Sequence, residues 1–120
     1  MTGDNMFRVN NIIYDITNIE YTTDKDNTIH LLVIAKNEQM DSDIQEISFN
    51  CDYKNPHKSN IMMPIVGQIF FAETEVVEGF IVFKEDTVTI KGATDLHWEA
   101  PLDYNVPIEI TFNQKEFPLV

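Results

Sequence analysis

The most constraining feature of this chain is a period of two. Apolar and polar residues alternate in short runs, and no stretch carries the stripe of an amphipathic helix over three turns. Thr28 to Ala35 is the clearest case, with Ile29, Leu31, Val33 and Ala35 on one side of an extended strand. Leu32 and Ile34 lie on the other side, and apolar residues on both faces predict a central, doubly covered strand. Ile47, Phe49 and Cys51 alternate with Glu46, Ser48 and Asn50. Val88 and Ile90 alternate with Thr87, Thr89 and Lys91, and Ile108, Ile110 and Phe112 with Glu109, Thr111 and Asn113.

The punctuation between these runs is that of an antiparallel protein. Val9-Asn10-Asn11-Ile12 predicts a hairpin, because Asn tolerates the left-handed backbone of a two-residue turn. The following arm continues through Tyr14, Ile16, Ile19 and Tyr21, and its change of phase predicts a bulge near Thr17-Asn18. Asp24 to Asn27 is a polar turn, and Lys36 to Asp43 is a polar loop with room for one helical turn. Ile61 to Glu73 reads as a long buried strand bent at Pro64 and Gly67, turned by Glu73-Thr74-Glu75 into Val76 to Lys84. Pro107 marks the start or the edge of the last strand. The expectation is one all-β domain over residues 1–120. It is a single-domain antiparallel sandwich or barrel of about eight or nine strands with little or no helix.

Charge narrows the range of functions. Twenty Asp and Glu stand against eight Lys and Arg, for a formal charge of −12 and a pI near 4.3. Phosphate backbones are gripped by Lys and Arg, so no nucleic acid and no anionic membrane is expected as a partner. A basic protein would be attracted and steered. Cys51 is the sole cysteine, which excludes an internal disulfide and fits a reducing compartment. The first eight residues have neither the basic flank nor the apolar run of a signal peptide. Ile61 to Ala72, interrupted by Pro64, Gly67 and Gln68, is too short to span a bilayer. A soluble cytoplasmic protein is the expectation.

Motifs for chemistry are missing. Cys51 and His57 could pair as nucleophile and base only if the intervening loop folded back, and Cys51 shares the inward face with Ile47 and Phe49. His30, His57 and His97 form no ligand pair of metal-site spacing. Asp24-x-Asp26 and Asp41-x-Asp43 begin like calcium loops, but the sixth and twelfth positions are Ile29 and Ala35 in one and Glu46 and Asp52 in the other. Glycines at 3, 67, 79 and 92 cannot build a phosphate cradle. No enzyme, no cofactor and no metal are expected.

A binding role is better supported. Residues 73–109 hold nine acids and two bases, and within them Asp95, Trp98, Glu99, Asp103 and Tyr104 surround Pro101. Aromatic anchors ringed by charge are a common way to build a tight interface. These five residues are the predicted partner-binding site, and the loop from Glu38 to Glu46 is the second candidate. The profile is similar to that of small bacterial immunity proteins, which neutralise a cognate and often basic toxin enzyme. The likeness lies in size, acidity and missing catalytic motifs, with no matching residues. It implies an acidic inhibitor of a basic partner. The alternatives are a small-ligand-binding β-barrel and a self-assembling structural subunit.

Overall fold

The structure is a computed structural model that describes residues 5–37, 46–56, 60–70, 74–95 and 105–113, with the backbone alone described at Asp95 and Asn105. Eight strands follow one another: β1 (Met6–Val9), β2 (Ile12–Thr23), β3 (Thr28–Lys36), β4 (Glu46–Lys54), β5 (Ile61–Phe70), β6 (Thr74–Lys84), β7 (Thr87–Asp95) and β8 (Asn105–Asn113). Each pairs antiparallel with the next, and β1 pairs with β8, so the sheet closes into an up-and-down barrel. Of the two predicted architectures, the barrel is the one formed.

Closure depends on a short strand. β1 sets Met6 opposite Thr111 and Val9 opposite Ile108, while its other edge pairs with β2 from Ile12 to Asp15. Beyond Val9, the Asn10 amide donates to the Pro107 carbonyl at 2.9 Å. Asn10 has φ of 56° and carries the left-handed position of the turn, as expected of Asn there. The register of β2 against β3 slips between Ile16 and Asn18, and the Thr17 hydroxyl donates to the Ile34 carbonyl at 3.2 Å. This bulge keeps Tyr14 and Ile16 before it, and Ile19 and Tyr21 after it, on the inner side.

The interior is filled. Phe7, Phe49 and Phe112 are fully enclosed, together with alternate Ile, Leu and Val residues from β3 to β8. An eight-stranded barrel is just wide enough for side chains to meet across its axis. Tyr53 packs on Phe83 with ring centroids 5.4 Å apart, and Tyr21 on Phe112 at 6.5 Å. The inner wall of β5 to β7 is lined with glycines. Gly67 gives room to the Phe49 ring, which a Cβ there would meet at 2.7 Å. Gly79 and Gly92 face each other across the β6–β7 ladder.

Three sequence expectations need correction. First, β5 is a one-sided strand: Ile65 and Ile69 point inward, whereas Met62 and Val66 are each 65% exposed. Among the described residues its first half pairs only with β6, because the β4–β5 ladder is confined to Ser48–Cys51 and Gly67–Phe70. Pro64, which has no amide proton to donate, falls on that singly paired stretch. Second, β3 is not covered on both faces: Leu32 and Ile34 alternate to the outer wall, where they are half-buried. Third, Thr74 and Glu75 belong to β6, with Thr74 opposite Phe70.

Candidate functional site

Up-and-down connectivity sorts the connections by end. The β1–β2, β3–β4, β5–β6 and β7–β8 connections leave from one end of the barrel, and β2–β3, β4–β5 and β6–β7 from the other. The first set comprises residues 10–11, 37–45, 71–73 and 96–104. It contains six acids (Glu38, Asp41, Asp43, Glu73, Glu99 and Asp103) and no Lys or Arg. The second set comprises 24–27, 55–60 and 85–86, with the four acids Asp24, Asp26, Glu85 and Asp86 against Lys25 and Lys58. The connections that leave the first end are therefore the more acidic set in sequence.

Both candidate segments identified in the sequence spring from this end. Asp95 is the last residue of β7 and pairs with Asn105 at the start of β8. Next to it, the buried Thr94 donates its hydroxyl to the Val76 carbonyl at 2.6 Å, anchoring the end of β7 to β6. Trp98, Glu99, Asp103 and Tyr104 lie outside the described residues. Of the segment Glu38 to Glu46, only Glu46 is described. It opens β4 opposite Lys36, with 3.5 Å between the charged atoms. Each predicted segment is thus held at its base by strand pairing at the same rim.

The outer wall of β5 and β6 carries a feature that the sequence reading missed. Met62, Val66, Phe70, Val76 and Phe80 are all roughly half exposed or more, and they occupy outward positions on two paired strands. Phe70 and Val76 lie near the acidic rim, and Met62 lies at the far end. A signal for this patch exists in the alternation itself. A closed barrel has a single interior, so a strand with apolar residues on both faces must leave one set outside.

The opposite end holds a small polar cluster. Asp24 Oδ1 accepts the amides of Asp26 at 2.8 Å and Thr28 at 3.2 Å, closing the β2–β3 turn in which Asn27 takes φ of 62°. These two backbone bonds, helped by His30, hold the Asp24 carboxyl below its usual range. His30 lies 2.7 Å from Asp52 through Nδ1 and 3.3 Å from Asp24 through Nε2. The Asp52 hydrogen bond, and then the two carboxylate charges, raise the imidazole pKa. All three side chains are well exposed, which makes this a surface ion-pair network rather than a desolvated catalytic site.

Cys51 sits on the inner wall at 3% exposure, and burial, followed by the Asp52 charge, pushes its thiol up to about 12. It is packed as a small apolar residue. His57 and His97 lie outside the described residues. The described His, Cys, Asp and Glu side chains include no group of three arranged to hold a metal ion. A groove of about 400 Å³ runs on the outer wall beside the β6–β7 turn, lined by Asn60, Val82, Lys84, Glu85, Thr87 and Thr89. Its lining mixes both charges, and it does not reach the barrel interior. No known family model, curated protein or solved structure matches the chain.

Proposed function

We propose that this protein is an acidic binding module of the cytoplasm that docks on a basic partner protein and blocks or regulates it by contact alone. An immunity- or antitoxin-type inhibitor of a toxin enzyme is its most concrete form. The observation that carries this reading is the sequence of the connections that leave one end of the barrel, six acids without one Lys or Arg. Such a rim steers a cationic surface toward itself and orients it on arrival. Trp98 and Tyr104, in the same β7–β8 segment as Asp95, Glu99 and Asp103, are the aromatic anchors of the contact.

The rest of the barrel fits a rigid platform. Its interior is occupied by Phe7, Phe49, Phe112 and their neighbours, which weighs against a ligand-carrying barrel, since that needs a cavity lined by inward side chains. Charged residues such as Asp15, Glu20, Asp52, Lys54 and Lys91 face outward over an apolar interior. A lipid-embedded barrel has the reverse arrangement.

The test is capture on the immobilised chain from a lysate of its own cell, beside the variant Asp95→Lys/Glu99→Lys/Asp103→Lys. Retention of a basic protein at low salt, its release by added salt and its loss on the variant are the expected results. Retention of an acidic protein, or equal retention by both chains, would overturn the proposal.

A further inference from the structure

We propose that the outer wall of β5 and β6 is a self-association face, on which two copies of this chain pack with their barrels antiparallel. Met62, Val66, Phe70, Val76 and Phe80 line the outer side of the two strands, with Glu78 opposite Val66, Gln68 opposite Val76 and Pro64 opposite Phe80. Together these side chains present on the order of 500 Å² of apolar surface, near the top of what an ordinary monomer exposes. With its polar border, the patch approaches the roughly 800 Å² per partner of a standard stable interface.

Charge selects the occupant. A basic partner needs acids to meet it, yet the outward positions of β5 and β6 carry only Glu78 in the exposed apolar stretch, and Lys91 stands beside Phe80 on β7. For a chain of formal charge −12, a wall with one exposed acid among five exposed apolar side chains lets two identical molecules meet with little repulsion. The convex wall of a closed barrel gives a small ligand nothing to enclose.

Charge also selects the orientation. A two-fold axis in the contact plane, running across the strands, makes the contact self-complementary. It sets the end of each copy from which the six-acid connections leave beside the opposite end of the other. Phe70 of one copy then meets Met62 of the second, Val66 lies at the centre, Phe80 meets Val76, and Glu78, level with Val66, faces its own copy. The parallel alternative would crowd both acidic rims together.

Sedimentation velocity of the full chain, from micromolar to sub-millimolar concentration and at low and high salt, tests this. The expected species has twice the 13.9 kDa monomer mass and tightens as salt screens the net charge. Val66→Asp/Phe80→Asp should weaken association by at least about a hundredfold while leaving the β-sheet circular dichroism unchanged. Met62→Lys should weaken it more mildly, and adding Phe70→Glu, which faces position 62 of the second copy, should restore it. A wild type that is monomeric throughout would overturn the proposal and give the face to a different protein. So would a dimer indifferent to Val66→Asp/Phe80→Asp, and failure of the added Phe70→Glu to restore association would overturn the antiparallel arrangement. The salt response separates this face from the acidic rim, because binding of a basic partner weakens with salt.

Discussion

Gly79 and Gly92 stand directly opposite each other on β6 and β7, and a Cβ on Gly79 would lie 2.0 Å from the Lys91 carbonyl oxygen. The obstructing atoms are backbone, so a side chain cannot be accommodated by rotating a neighbour. This close approach lets the inner wall bend without pushing β6 and β7 apart.

Gly79→Ala should therefore destabilise the barrel by about 3 kcal/mol, at the upper end of what overpacking costs. For a domain of this size that corresponds to a fall in Tm of roughly 10 °C. Thermal unfolding followed by circular dichroism checks it. An unchanged Tm would mean that the two strands have slack that the structure does not show.

Tyr21 and Tyr53 each bury a hydroxyl with no hydrogen-bond partner among the described residues. Desolvation raises both phenols above their ordinary pKa, so they remain protonated at any physiological pH. Removing an unsatisfied hydroxyl while keeping the ring should cost almost nothing. Tyr53→Phe is expected to lie within about 1 kcal/mol of wild type in urea unfolding, or to stabilise slightly. Tyr53→Ala, which empties the space against Phe83, should cost about 3–5 kcal/mol.

His30 gains two carboxylate neighbours on folding, and its folded pKa lies above the unfolded value. The stability it contributes is fully present below the unfolded pKa and is lost as pH rises through the folded one. An NMR titration of the His30 ring should give a midpoint above that of a free histidine, and Asp52→Asn should bring it down. Stability should decline from mildly acidic toward alkaline pH in wild type and decline less in His30→Gln.

Cys51 should be silent toward thiol reagents in the native state. At 3% exposure and with its thiol pushed up to about 12, it offers almost no thiolate at neutral pH. A colorimetric thiol assay should detect it only after denaturant is added. Rapid native labelling would contradict the packing described for the inner wall.

Much of the fold was legible because it is written locally. The phase change between Ile16 and Ile19 predicted the bulge at Thr17, and Asn10 marked its hairpin. Closure was not legible, because Met6–Val9 pairs with Ile108–Thr111 across almost the whole chain and no local pattern encodes that contact. Without closure, Leu32 with Ile34 read as evidence of a second covering layer, and Ile61 to Glu73 read as buried throughout. In a barrel the same alternation places them outside. The acids of the candidate segments were visible as a count, but that their connections leave the same end follows only from the order in which strands pair. His30 and Asp52 face each other across β3 and β4, a register that neither strand's sequence states alone.

The central claim is that the acidic rim draws in a basic protein, and the association rate measures it most directly. With the captured partner purified, stopped-flow rates should be compared over a series of salt concentrations for wild type and for Asp95→Lys/Glu99→Lys/Asp103→Lys. The expected result is a steep fall of the wild-type rate with salt, together with a variant at least about tenfold slower at low salt and nearly insensitive to it. Equal rates and equal salt slopes for the two chains would contradict the account.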